Sequence, residues 1–197
     1  MRDRNDDEGK NFEMRIIGGL YKSRLIEMPK GTDIRPTQDK VRQAVFNILQ
    51  DVNGMAVLDL FAGSGACGIE AISRGARHAT FVENNSKCIQ AINGNLQALK
   101  VNVNQYSVVR VGADKAVSRL EAEGQIFDLV FLDPPYYEDL AKKCLITIDA
   151  CDILAQSALV VVEHYKRDDL PGEFKQLDLL TERKYGDTVI SIFRKRA

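Results

Sequence analysis

At 197 residues, with 45% hydrophobic and 28% charged residues, the chain has the size and balance of one globular domain with at most a short appendage, and it is long enough to bury a core. That balance excludes a disordered polyelectrolyte, and apolar runs as short as Leu159 to Val162 exclude a bilayer-spanning helix. A formal net charge of -1 gives no whole-molecule argument for a nucleic-acid partner, so any basic surface must be local.

Met1 to Glu13 is polar and mixed in charge, unlike a secretory signal or a transit peptide, and is expected to be a frayed tail. Arg15 to Met28 alternates weakly around the turn signal Gly18-Gly19, which predicts a small hairpin. Pro29, Gly31 and Pro36 then interrupt regular structure. From Thr37 the period changes: Val41, Ala44, Val45, Ile48, Leu49 and Val52 fall on one helical face, with Thr37 or Asp39 as candidate caps. Strands and helices alternate thereafter. Met55 to Leu60, Ala79 to Glu83, Tyr106 to Val111, Phe127 to Leu132 and Ala158 to Glu163 read as strands. Ala66 to Arg74, Ser86 to Lys100, Asp114 to Ala122 and Glu138 to Ile153 read as the helices between them. Continuously apolar strands imply burial on both faces, hence a parallel sheet covered by helices, an α/β fold. Phe174 to Arg183 and Thr188 to Arg194 flank Tyr185-Gly186-Asp187 and predict a closing antiparallel hairpin. The expected organisation is a tail over 1–13, a hairpin extension over 14–36 and one main domain over 37–197.

Cys67, Cys88, Cys144 and Cys151 form no C-x-x-C pair and only two histidines are present, so neither a disulfide framework nor a metal site is suggested. A reducing cytoplasm fits best, and the cysteines read as small core residues. His78 and His164 have no partner at informative spacing and receive no role.

Two loops carry chemistry. The first runs from Leu58 to Gly68, where Asp59 is followed by Phe61, Ala62, Gly63, Ser64 and Gly65 at a strand-to-helix junction. Glycines at 63, 65 and 68 match G-x-G-x-x-G, which lets a backbone approach a nucleoside cofactor, while Glu83, with Asn84 beside it at the end of the next strand, is placed to accept from ribose hydroxyls. A dinucleotide and S-adenosylmethionine both fit this much. Asp59 favours the second, because a carboxylate aimed into the loop repels a pyrophosphate and attracts the cationic amino group of a methionine moiety.

The second loop is Asp133-Pro134-Pro135-Tyr136, which leaves the apolar strand Phe127 to Leu132 and should face the same crevice. An exocyclic amine on a base is a poor nucleophile because its lone pair is delocalised. Asp133 and the Pro134 carbonyl can accept its two hydrogens, turn the lone pair toward a sulfonium methyl and stabilise the developing charge. The prolines fix φ and offer no competing amide hydrogens. Tyr136 offers a stacking face worth roughly 1–3 kcal/mol.

Met14-Arg-Ile-Ile-Gly-Gly19, Arg35-Pro-Thr37, Val41 to Leu49, Asp59 to Gly65, Glu70-Ala-Ile-Ser-Arg-Gly-Ala76 and Asp133 to Tyr136 together resemble the RsmD family of bacterial 16S rRNA guanine-N2 methyltransferases. The glycine loop and Asp-Pro-Pro-Tyr occur in many amino-methyltransferases, whereas the Arg-Pro-Thr block and Ser-Arg-Gly-Ala are more particular to this family. The resemblance implies a Rossmann-like S-adenosylmethionine-dependent methyltransferase fold with a reversed final hairpin, and a small N-terminal hairpin that helps hold RNA. It implies methylation of one guanine in the small ribosomal subunit. Asp59 and Gly63 would lie at the methionine end of the cofactor, Glu83 at the ribose and Asp114 near the adenine. The thirteen residues before Met14 depart from the family's usual start.

Between Met14 and Val45 seven basic residues face three acidic ones. Arg35 and Arg42, with Thr37 between them, are the candidate phosphate contacts, followed by Lys22 and Arg24 on the hairpin. Competing readings are a DNA adenine-N6 or protein glutamine methyltransferase, a nicotinamide-dependent dehydrogenase, and a non-catalytic RNA-binding assembly factor.

Overall fold

The computed structural model describes residues 14–29, 39–135, 139–168 and 170–196, so Arg35, Thr37, Tyr136 and the segment 1–13 lie outside the described residues. Five strands run parallel: β3 (Ala56–Leu60), β4 (His78–Glu83), β5 (Tyr106–Arg110), β6 (Phe127–Leu132) and β7 (Leu154–Tyr165). β8 (Leu177–Tyr185) and β9 (Thr188–Lys195) pair antiparallel, with β9 inserted between β7 and β8. The sheet order is therefore β5-β4-β3-β6-β7-β9-β8. The chain moves outward from β3 to β5 and then returns to β6 on the other side, so the reversal opens a crevice over the carboxyl ends of β3 and β6.

Period-two alternation gives the sheet two apolar faces. Val57, Phe81, Leu129, Phe131 and Val161 meet α1 (Asp39–Leu49), α2 (Ala66–Ser73) and α3 (Ser86–Ala98) on one side. Leu58, Leu60, Val82, Val130 and Val160 meet α4 (Ala113–Ala122) and α5 (Leu140–Ala150) on the other. Burying each such side chain contributes about 1.5–3 kcal/mol, which is why these strands carry no polar face. Among the described residues no helix is long and apolar enough to cross a membrane.

The N-terminal hairpin is shorter and more firmly seated than its alternation predicts. β1 (Met14–Arg15) and β2 (Leu25–Ile26) pair antiparallel, while Met14, Ile16 and Ile26 are buried in the same core as α1, α2 and α3. Gly18-Gly19 serves contact with α2. The Leu20 amide donates to the Ser73 carbonyl at 2.7 Å, and at Gly19 (φ +75) an added Cβ would lie 1.7 Å from that same carbonyl oxygen.

Several element boundaries differ from the sequence reading, three of them for identifiable local reasons. Helix α5 stops at Ala150 because Cys151 is extended, and the apolar pattern that continues to Ile153 belongs to a connection in which Cys151 is half-buried, Asp152 exposed and Ile153 buried. β7 begins at Leu154, four residues earlier than expected, because Gln156 and Ser157 mark a register shift with Ser157 at φ +59 and hide the strand's alternation. β8 begins at Leu177. The preceding backbone is held by α5, with the Lys175 and Gln176 amides donating to Asp149 at 2.6 and 2.8 Å, and Phe174 packs edge-on to Phe193.

Candidate active site

Strand β3 delivers Asp59 on the face shared with Val57. Its carboxylate is 4% exposed and accepts from the Gly68 amide at 2.9 Å in the first turn of α2. Burial pushes the Asp59 carboxyl up to about 8; the Gly68 hydrogen bond opposes the rise, and the Asp133 and Glu83 carboxylates add to it. A desolvated acid in the field of two others is a receptor for a cation. The loop that follows is built for close approach. Phe61 adopts a left-handed φ of 65, a conformation that costs a non-glycine residue on the order of 1–3 kcal/mol. Gly65 caps α2 at φ 80, where a Cβ would sit 3.3 Å from Ile69, Ile92 and Phe81. The Ala62 amide donates to the Val82 carbonyl at 3.0 Å, and the buried Ser64 accepts at its carbonyl from the Asn95 side chain at 3.0 Å.

Glu83, at the end of β4, does more than face a ligand. One carboxylate oxygen accepts from the Gly63 amide at 2.9 Å and the other from the Asn84 and Asn85 amides at 2.8 and 2.9 Å. It thereby ties the glycine loop to its own strand end. Asp114 is exposed in the first turn of α4, just beyond β5. Asp59, Glu83 and Asp114 thus stand at the carboxyl ends of three adjacent strands, in the sequence a methionine, ribose and adenine would need. The carboxyl set, the glycine cradle and the crevice fit S-adenosylmethionine.

The second loop opens beside the first. Leu60 of β3 pairs with Leu132 of β6, so Asp133 and Phe61 leave neighbouring strands about 5 Å apart. Pro134 is buried and Pro135 exposed. Against Asp133 lies a small cavity of about 20 Å³ whose lining includes Arg42, Cys67, Phe131, Glu163 and Ile190. The Cys67 thiol there is pushed well up by burial and by Asp59, with Arg42 opposing and Asp133 and Glu163 reinforcing, so it is no nucleophile. A larger hollow of about 410 Å³ lies at the opposite, amino ends of the strands beside Arg77, Asp128 and Arg194, and shares none of these groups.

The phosphate role expected of Arg42 is corrected by the structure. Arg42 is 1% exposed; its guanidinium donates to the Arg15 carbonyl, to Met14 Sδ at 2.8 Å and to Asp39 at 3.1 Å, and its Nε lies 3.8 Å from the fully buried Glu70. It is a core cation that fastens α1 to the hairpin, and its heptad-like apolar neighbours gave no hint of this. Lys22 and Arg24 are exposed, but the hairpin turn rests on the far ends of α2 and α3, with Arg24 donating to the Ala98 carbonyl at 3.0 Å. Glu163, Glu70 and Asn95 went unassigned in the sequence; Glu163 follows the apolar run Ala158 to Val162, although β7 continues past it to Tyr165.

The family described as Conserved hypothetical protein 95 matches residues 14–194. Ribosomal RNA small subunit methyltransferase D of Escherichia coli (strain K12) is 34% identical over 186 residues, 94% of this chain and 91% of that protein. YlbH of Bacillus subtilis (strain 168) is 38% identical over 184 residues, 93% of this chain and 100% of its own. The solved structure of yhhF from Escherichia coli matches with a TM-score of 0.82 at 34% identity, covering 94% of this chain and 99% of that one.

Proposed function

The chain belongs to the family described as Conserved hypothetical protein 95, the RsmD family, and on that premise we propose that it methylates the exocyclic N2 amine of a guanine in 16S rRNA of the small ribosomal subunit. The observation that carries this reading is the pairing of β3 with β6, which sets the Asp59 glycine loop and the Asp133-Pro134 loop on either side of one crevice. S-adenosylmethionine, when bound, supplies the electrophilic methyl group. Asp59 and Gly63 hold its amino-acid end, Glu83 its ribose and Asp114 the adenine side, with Phe61, Ala62, Ser64, Gly65 and Asn84 forming the cradle. Asp133 and the Pro134 carbonyl accept the two hydrogens of the guanine amine, point its lone pair into the crevice and stabilise the positive charge that grows on nitrogen. Asp133 then receives the surplus proton. Tyr136 is the proposed stacking platform, and Arg35 and Thr37 the proposed backbone contacts.

With a net charge of -1 the protein can neutralise few phosphates, so its hold on free RNA should be weak and salt-sensitive. A guanine displayed on a folded, protein-bearing particle avoids the few kcal/mol needed to extrude a stacked base. The proposed substrate is therefore 16S rRNA within the assembling small subunit, in the cytoplasm. The test is tritium transfer from labelled S-adenosylmethionine to small subunits from cells lacking the enzyme, to naked 16S rRNA, to DNA and to protein, with mass-spectrometric mapping of the product. Label recovered as N2-methylguanine, mainly on particles, is the expected result; label on DNA or protein alone would overturn the reading.

A further inference from the structure

We propose that Glu163 is the residue that selects guanine, by accepting a hydrogen bond from the base's ring N1–H while Asp133 holds the adjacent amine; this rests on the guanine reading above. The position follows from the sheet. β6 and β7 are parallel neighbours with Leu132 opposite Val162, which puts Asp133 and Glu163 in the next step of the same register. Alternation sends both to the face of Phe131 and Val161, toward α1 and α2 rather than α4 and α5. Both line the same small cavity with Arg42 and Cys67. Glu163 is also fixed from its other side, paired with Ile190 of β9, so its backbone sits on a central strand.

Asp133 and Glu163 line one cavity with the Arg42 guanidinium and with apolar walls such as Phe131, Val161 and Ile190. A ligand edge that carries two neighbouring N–H donors matches two carboxylate acceptors placed on adjacent strands in one register. Guanine has such an edge: the N2 amine and the N1–H are adjacent, and both donate. Adenine offers an amine beside an unprotonated N1, whose lone pair would face the Glu163 carboxylate. Asp133 serves any planar amine, so it leaves the choice of base open, and a second acceptor one strand away closes it. The cavity has room for about one water-sized group, which suits a base presented edge-on rather than a ring swallowed whole.

The test uses the full chain and small subunits. After the modified guanine has been mapped with the wild-type enzyme, 16S rRNA is ligated with either guanine or 2-aminopurine at that position and assembled into particles. 2-Aminopurine keeps the N2 amine but presents N1 as an acceptor. Wild type should prefer guanine by about 100-fold or more in kcat/KM, since a site built to accept an N–H rejects an analogue that lacks it. Glu163→Gln, whose amide can donate to N1, should lose about 10- to 100-fold on guanine and gain on 2-aminopurine, which narrows or inverts the preference. Binding of S-adenosylhomocysteine and the melting temperature of Glu163→Gln should match wild type. If Glu163→Gln kept the wild-type preference, the proposal would be overturned. A wild-type enzyme that methylates no guanine amine in the mapping step would instead defeat the underlying function, so the two failures are separate. Should Glu163→Gln melt early, Glu163→Asp supplies the second variant: it keeps the charge but draws back the acceptor, and must weaken guanine without gaining on 2-aminopurine.

Discussion

Glu70 is fully buried, and its carboxylate accepts three hydrogen bonds and faces a second guanidinium as an ion pair. Oε2 accepts from the Ile17 amide at 2.8 Å and faces Arg42 Nε at 3.8 Å; Oε1 accepts from the Gly18 amide at 2.8 Å and Arg74 Nε at 2.7 Å. Glu70→Gln keeps the volume but replaces one acceptor oxygen with an NH2 group. Either orientation of the amide sets a donor against a backbone N–H, and the negative charge between two guanidiniums disappears. Removing one partner of a buried ion pair costs about 3–5 kcal/mol, a large share of a typical total of about 5–15 kcal/mol. For a chain of this length that predicts a fall in melting temperature of roughly 6–20 °C. Urea denaturation gives the free energy, and amide exchange locates it: Ile17 and Gly18 should lose protection more than β3 does. A variant within about 1 kcal/mol of wild type, with both amides still protected, would refute the view that this carboxylate holds the hairpin.

Asp59, with its carboxyl raised by burial to about 8, binds more protons folded than unfolded, so it makes stability fall as pH rises from about 4 toward 8, by up to about 1.4 kcal/mol per pH unit. Asp59→Asn should flatten that slope, raise the melting temperature at pH 8 and abolish S-adenosylmethionine binding in calorimetry; unchanged binding would remove Asp59 from the site. Cofactor binding near pH 7 should also release a proton, seen as a buffer-dependent heat. Glu83→Ala should weaken S-adenosylmethionine by ~1.5–3 kcal/mol, with an unaltered dissociation constant excluding it. Asp133→Ala should lower kcat about 100-fold or more with little change in cofactor affinity, and near-normal turnover would contradict its role.

The fold was legible because its central strands β3 and β6 and the middle of β7 are largely apolar. Phe127–Leu132 was bounded by sequence alone, since Asp133-Pro134 ends it sharply and Gly124 precedes it. The start of β7 was not, since the bulge at Ser157 breaks the alternation on which such a reading depends. Asp59, Glu83 and Asp133 could be singled out because each closes an apolar strand, so local pattern and global position coincide. Arg42 shows the opposite case. Its burial depends on Met14, Arg15 and Glu70, which are brought together only by tertiary packing, and a cation on a helix otherwise reads as solvated.

Two of the sequence blocks that carry the family resemblance, Met14 to Gly19 and Glu70 to Ala76, turn out to be halves of one joint. Glu70 takes the amides of Ile17 and Gly18; Ser73 Oγ donates to the Gly18 carbonyl at 2.6 Å and accepts from the Tyr21 amide at 2.9 Å; and only glycine at 19 lets the Ser73 carbonyl come so near. Beyond β2 the Glu27 amide donates to Asn95 at 2.8 Å, and the Asn95 amide group donates in turn to the carbonyls of Glu27 and Ser64, each at 3.0 Å. The segment that carries Arg35 and Thr37 therefore departs from a point hydrogen-bonded to the cofactor loop, and it returns at Asp39 into a helix pinned to Met14 and Arg15 by Arg42. The hairpin thereby locks onto α1 and α2, and Asn95 of α3 joins its exit at Glu27 to the glycine loop at Ser64.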